Sequence, residues 1–328
     1  MKIVLFSIVL CFCAFQALAQ GVGTTTADIL KINLGDRPAG MAGVYTAMAD
    51  DAYSIDYNPA GLALLRSTQL IVLHLDSLAQ IQYEYLTFAT PMGIDNTVSA
   101  NLIYRHLPPI DNNNGNPSVN ADDLLAEATF AHVFSPGLRV GGTVKFLKSD
   151  LANYTASAFC GDLGVQLDKL PYGIRVGLSI QNLGPGMTFA PPGTSPPPNT
   201  PSEPLPMFIR LGIGTHQVID STKDLNLGVE IFKPSDQSIK AAFGGEFWIF
   251  PQLFAVRAGY KIENFGSIPS DASANVFQYY TLGCTLTRRL DDNDFSIDLA
   301  YDPGNFGETV EDTFSFALNF KFNEFRIF

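Results

Sequence analysis

The residues able to do chemistry in this chain of 328 amino acids are few and scattered. Its four histidines, His74, His106, His132 and His216, lie far apart and form none of the close-spaced patterns that hold a metal ion. A barrel hydrolase would need a serine, a histidine and a polar orienting group on adjacent strands. His132 could be imagined in that role, but no neighbour compels it, so neither an enzyme activity nor a cofactor or metal is expected. Asp50, Asp51 and Asp56 could cap turns or hold a cation, and capping is the simpler use. The pair Asp122-Asp123 and the run Asp291-Asp292 with Asp294 read as solvated loop charge, with bound calcium the less economical alternative. The remaining charges share one property. Glu84, Arg105, Glu127, Arg139, Lys145, Asp162, Arg175, Arg210, Glu230, Lys240, Glu246, Arg257, Lys261 and Asp298 each stand opposite an apolar face in a segment with a two-residue period.

That period identifies the elements that must position them. In Gly173 to Asn182, Ile174, Val176, Leu178 and Ile180 point one way and Arg175, Ser179 and Gln181 the other. In Leu138 to Leu147, Val140, Val144 and Phe146 oppose Arg139 and Lys145. Such segments recur as about fourteen strands, near 67–76, 80–90, 97–107, 124–134, 138–148, 157–167, 173–182, 206–218, 224–232, 238–249, 253–263, 277–287, 293–301 and 313–322. Each is close to the ~9–11 residues that cross a bilayer at a tilt. Short connections alternate with long polar ones (108–123, 149–156, 183–205, 264–276 and 302–312), as in an up-and-down outer-membrane barrel. Alternation alone also fits a secreted sandwich. Strand number and length decide between them, because a closed barrel leaves no edges and an Arg or Lys on the lipid face at mid-membrane costs ~2–4 kcal/mol. The fold expected is therefore all-β, a transmembrane antiparallel up-and-down β-barrel of about fourteen strands. Its lumen is expected to hold Glu84, Arg105, Glu127, Arg139, Arg175, Arg210, Glu230, Glu246 and Arg257. Tyr83, Tyr85, Tyr104, Tyr260, Tyr279, Tyr280 and Tyr301 are placed to meet the headgroups.

Composition agrees. Charged residues make up only 16% of the chain, yet after residue 20 no uncharged apolar run approaches the ~20 residues of a membrane helix. Lys2, the apolar run Ile3 to Phe15 and Ala17-Leu18-Ala19 predict a secretory signal peptide cut after Ala19. A net charge of −12 argues against a nucleic-acid partner. Cys160 and Cys284 are expected as free thiols. The resulting division is 1–19 signal peptide, 20–66 N-terminal segment and hatch inside the lumen, and 67–328 barrel, in the outer membrane of a Gram-negative-type bacterium with its lipids as first partner.

Residues 24–66 lack the two-residue period. The small apolar run Ala39 to Ala49 predicts a short helix, Asn58-Pro59 a cap or turn, and Gly61 a positive φ. The run Gly40-Met41-Ala42-Gly43-Val44-Tyr45-Thr46-Ala47-Met48-Ala49-Asp50-Asp51-Ala52, followed by Tyr57-Asn58-Pro59-Ala60-Gly61-Leu62, resembles the amino-terminal signature of the PorV/PorQ family of outer-membrane proteins, relatives of the FadL long-chain fatty-acid transporters. Ile180 to Pro185, Leu205 to Gly212 and Val256 to Lys261 resemble further motifs of that family in the same order. The resemblance implies a FadL-like barrel with an amino-terminal hatch, in which Asp50, Asp51, Tyr57, Asn58, Pro59 and Gly61 form the hatch motif. It also implies two roles. PorV-like relatives bind exported proteins and work with subunits of the type IX secretion system, and this is put first. FadL-like relatives instead pass long-chain fatty acids or other hydrophobic molecules, which would ask for an apolar pocket lined by residues such as Leu86, Phe88, Ile103 and Phe208. The Pro-rich stretch from Gly184 to Pro206 could dock a client or cover the mouth.

Overall fold

The computed structural model describes residues 24–32, 34–77, 80–110, 119–197, 199–250, 253–262, 278–306 and 309–323. The expected signal peptide lies outside them. Fourteen strands follow one another: β1 Thr68–Asp76, β2 Gln82–Met92, β3 Asn96–Ile110, β4 Val119–Ser135, β5 Leu138–Leu151, β6 Tyr154–Leu167, β7 Ile174–Leu183, β8 Phe208–Asp220, β9 Lys223–Pro234, β10 Lys240–Ile249, β11 Phe254–Ile262, β12 Gln278–Leu290, β13 Asn293–Phe306 and β14 Thr309–Phe322. Each pairs antiparallel with its sequence neighbour, and β1 closes on β14 with Thr68 opposite Phe322. Every strand edge is thus satisfied, as a membrane-spanning sheet requires.

The period of two sorts side chains by face. Leu102, Phe130, Val144, Phe159, Ile213, Leu282 and Leu299 are exposed on the outside, while Glu127, Arg139, Lys145, Arg210, Glu230, Glu246, Arg257 and Asp298 are buried within. This arrangement inverts a water-soluble protein and suits hydrocarbon. No helix among the described residues is long and apolar enough to cross a membrane. Both ends of the barrel wall and the two-residue turns 136–137, 221–222 and 291–292 lie at one rim; the other carries the longest connection, between β7 and β8, but the long polar connections expected at 149–156 and 302–312 shrink there to 152–153 and 307–308, because the flanking strands extend into them. Toward the long-loop rim the strands outrun the alternation: β4 begins at Val119 and β13 runs to Phe306. The backbone ladder continues there beyond the apolar belt, so hydropathy no longer reports it. Cys160 and Cys284 are free thiols, as expected.

Inside the wall lies the segment before β1. It holds α1 (Asp36–Ala39), α2 (Ser54–Tyr57) and a 3-10 turn, Pro59–Leu64. The helix expected over Ala39–Ala49 does not form; α1 ends at Ala39 and turns follow. Ala42 and Gly43 take positive φ (56° and 78°); the N–H groups of Tyr45 and Thr46 donate to Glu230 of the barrel, and that of Ala42 is shared between the Ala39 carbonyl and the Thr281 hydroxyl. Asn58 does cap the 3-10 turn, its side chain accepting from the Ala60 N–H with Pro59 at the first position. Gly61 differs from expectation, since its φ is not positive. Glycine is required there because a Cβ would stand 2.4 Å from the Ala49 carbonyl oxygen.

Candidate functional site: the hatch and its seat

The hatch lies against a bare backbone. Gly164, Gly177, Gly244 and Gly259, one on each of β6, β7, β10 and β11, face inward. A Cβ on them would approach Asn58 Oδ1 to 2.1 Å, the Thr46 oxygen to 2.1 Å, the Met41 oxygen to 2.5 Å and the Ala42 nitrogen to 2.4 Å. Side chains of the wall then take up backbone groups that the irregular hatch cannot pair for itself. Glu230 accepts from the Tyr45 and Thr46 N–H groups, both at 2.9 Å. Gln166 donates to the carbonyls of Ala47 (2.9 Å) and Ala49 (3.0 Å). Ser179 donates to the Tyr57 carbonyl at 2.7 Å, and Gln69 accepts from the Ala52 N–H at 2.9 Å. Asn58 completes the set by donating to Thr46 within the hatch (2.8 Å) and to Val165 of β6 (3.0 Å).

Charge fastens the centre. Arg37 of α1 reaches Asp50 at 2.6 Å, Asp51 at 2.8 Å and Glu246 of β10 at 2.9 Å. It grips Glu246 with two nitrogens, the second at 3.0 Å, the planar fork that guanidinium presents to carboxylate. Arg257 binds the same carboxylate at 2.7 Å, and Arg175 reaches Asp50 at 3.2 Å. Burial alone would push the Asp50 carboxyl up, but Arg37 and then Arg175 outweigh it and hold the group below the usual carboxylate range.

A second cluster lies toward the long-loop rim. Lys145 sits 3.0 Å from Glu127 and 2.9 Å from Asp162, and Asp56 accepts from the Tyr85 hydroxyl at 2.7 Å. Arg210 bridges Glu230 (3.0 Å) and Gln181 (2.9 Å) with its guanidinium 5.3 Å from the Tyr57 ring centre. A cavity of ≈ 30 Å³ remains between these groups and Ile29, Leu34, Ile103 and Leu125, which is room for about one water. Lys145→Met would leave Asp56, Glu127 and Asp162 crowded without their nearest cation. Loss of one partner from a buried ion pair removes about 3–5 kcal/mol, so urea unfolding of the detergent-solubilised variant should show a loss of that order; an unchanged midpoint would contradict it.

The arm before α1 packs apolar side chains toward the long-loop rim. Ala27, Ile29 and Leu34 belong to one buried cluster with Ala156, Ala158, Met187 and Leu205. Polar contacts hold this arm: the Thr26 N–H donates to the Pro204 carbonyl at 3.0 Å, the Thr25 hydroxyl donates to Asp236, and Lys31 pairs with Asp236 at 2.8 Å.

The expected lumen residues are mostly where the alternation puts them. Glu127, Arg139, Arg210, Glu230, Glu246 and Arg257 are buried inside; Arg105 pairs with Asp123 at 2.7 Å and Arg139 with Asp168 at 2.8 Å. Glu84 is a correction. It lies on the outer face of β2, exposed and 2.8 Å from His74, because the inward row of that strand is Tyr83, Tyr85, Thr87 and Ala89. Its place near the long-loop end of β2, where a charge costs little, permits this. Leu86 and Phe88 share that outer row and line no lumen pocket, whereas Ile103 and Phe208 are buried inside. Tyr83 and Tyr85 are likewise interior, not headgroup, residues. Sequence reading missed Arg37, Gln69 and Gln166, and it placed Ser179 on the polar face without a role. Arg37 carried a signal: it is the one basic residue between Lys31 and Arg66, amid four aspartates.

Asp36 of α1, fully buried in the hatch, gives a pH test. Burial pushes its carboxyl up to about 8, only partly offset by the Ser315 hydroxyl and Arg257, with Asp298 adding to the rise. The seat therefore favours the protonated acid, and the stability it confers is full at low pH and is lost as pH rises toward 8. The Tm in detergent should fall from pH 5 to pH 9, and Asp36→Asn should flatten that slope; an equal slope in both proteins would refute the assignment.

Comparison with known proteins fits this architecture. The profile of an uncharacterised protein family (UPF0164) matches residues 15–146, less than half of the chain, spanning the hatch and the first strands. No curated protein matches the sequence. Solved structures do match in fold. A structure described as the CymD monoaromatic hydrocarbon channel aligns with TM-score 0.61 at 12% identity, covering 89% of this chain and 98% of that one. The Pseudomonas putida toluene transporter TodX aligns with TM-score 0.57 at 12% identity over 93% and 98% of the two chains. A Pseudomonas aeruginosa FadL homologue gives 0.58 at 10% identity over 88% and 98%. The chain therefore has the FadL-like fold, a fourteen-stranded barrel occluded by its own amino-terminal segment.

Proposed function

We propose that the protein is a non-enzymatic channel of the bacterial outer membrane that passes small hydrophobic molecules by diffusion when its hatch leaves the seat. One observation carries this reading: the hatch fills a closed barrel, packing Ile29 and Leu34 into one buried apolar cluster with Ile103 and Leu205 of the wall and its loops, in a fold shared along nearly its whole length with structures described as hydrocarbon channels. Transport thus takes precedence over the protein-client role in type IX-like secretion that the PorV/PorQ resemblance put first, since no relative reported above is described as a secretion component. The expected occupant of the lumen is a hydrophobic small molecule, and export by a cleaved signal peptide brings the chain to the membrane. Hydrophobic substrates cross a lipopolysaccharide-bearing outer membrane slowly, so the test uses cells. Uptake of radiolabelled toluene by a Gram-negative host expressing the barrel should exceed that of the same host with an empty vector. Equal uptake, with folded barrel present in the outer membrane, would sink the proposal.

A further inference from the structure

A large concavity lies on the outside of the wall. It is a recess of ≈ 630 Å³ over β8 to β11, bounded by Ile213, Leu227, Val229, Phe243 and Tyr260 and floored by the glycine backbone and Ala258. The strand register explains it. One outward row reads Ile213, Val229, Phe243, Tyr260, and the row two residues nearer the short-turn rim reads Thr215, Leu227, Gly245, Ala258. The next row continues with Leu225, Phe247 and Val256. Large apolar side chains thus stand above and below a gap at Gly245 and Ala258. On the opposite side of the same wall, a Cβ on Gly228 or Gly244 would meet Val44 or Met41 of the hatch at 2.9 and 2.5 Å. The wall is consequently thin here from both sides.

We propose that this recess is a binding slot for one acyl chain of an outer-membrane lipid. The recess sits between exposed apolar residues of the belt, Phe243 and Tyr260 on one side and Val256 on the other, at a depth where hydrocarbon is the only solvent. An empty concavity forfeits dispersion contacts that a chain lying across it regains. Its lining offers a ligand no charged side chain, so a headgroup or a polar solute has nothing to bind, whereas a flexible methylene chain can follow the step between the two rows.

Native mass spectrometry of the delipidated barrel, titrated with dioleoyl phosphatidylethanolamine, tests this. The wild-type protein should show a saturable one-to-one adduct. Ala258→Phe, which fills the floor, should reduce its occupancy at least tenfold, and Ala258→Leu should reduce it with a smaller intrusion should the first variant not fold. Ala128→Phe, at an exposed outward position on β4 across the barrel, should leave it unchanged. Equal adducts in all variants would mean only annular lipid and would overturn the proposal. So would a dimer of the wild type that Ala258→Phe dissolves, since the occupant would then be a second copy of the chain.

Discussion

Arg37→Ala is expected to release the hatch while leaving the barrel intact. The substitution removes the cation that joins Asp50, Asp51 and Glu246. Asp50 retains Arg175 and Glu246 retains Arg257, so the loss falls chiefly on Asp51, which is buried. An uncompensated buried carboxylate costs about 3–5 kcal/mol, enough to change the seated fraction of the hatch a hundredfold or more. The wall should not notice, because its closure rests on a ladder of backbone hydrogen bonds in which Arg37 has no part. The chain supplies its own reporter. Its single tryptophan, Trp248, stands two residues along the inward face of β10 from Glu246. Acrylamide should quench Trp248 several-fold more strongly in Arg37→Ala than in the wild type, with both proteins keeping the heat-modifiable gel shift of a folded barrel. Identical quenching would show that Arg37 is not the latch.

The second large effect is steric. Gly164→Val should exclude the hatch, whereas Gly142→Val should be tolerated. The first Cβ would lie 2.1 Å from Asn58 Oδ1 and 2.7 Å from the Pro59 ring, within the motif that caps the 3-10 turn. The second meets nothing nearer than 3.6 Å. Both positions belong to strands, β5 for Gly142 and β6 for Gly164, where valine is favoured over glycine on backbone grounds. The expected outcome is therefore a folded Gly164→Val barrel whose residues 24–66 are cut by added protease, beside a protected Gly142→Val. Protection of both would mean that the hatch yields locally and the glycine band does not set its position.

These two predictions mark what was legible in the sequence. A period of two survives averaging over any strand, so the count of strands, their order and the inward set from Glu127 to Arg257 could be read directly. Glu84 misled because alternation assigns two faces and not which face meets lipid near a rim. Phe88 and Leu86 erred with it, being on the same row. The hatch was legible only as a segment without period. Its shape is imposed from outside: the carbonyls of Ala47 and Ala49 turn toward Gln166, and the N–H groups of Tyr45 and Thr46 toward Glu230. Those partners lie more than a hundred residues away in sequence, and no local propensity encodes them. Asn58-Pro59 was readable because its capping is local, and Gly61 was misread because its need for glycine comes from Ala49 across the hatch and not from its own φ.

The central claim is that hatch movement gates the passage of hydrophobic molecules, and a reversible lock tests it most directly. An ideal Cβ on Gly212 would lie 3.3 Å from the Ala47 Cβ and 2.9 Å from the Ala47 nitrogen, so a shift of a few tenths of an ångström relieves the close approach and brings the pair to the ~3.5–4.5 Å separation of disulfide-linked residues. The measurement is toluene uptake by cells carrying Ala47→Cys with Gly212→Cys, in a background without Cys160 and Cys284, before and after reduction. Uptake that is at the empty-vector level when oxidised and returns on reduction is the result predicted here. Uptake above that level and equal in the two states, with the disulfide shown to form, would contradict a hatch-gated channel.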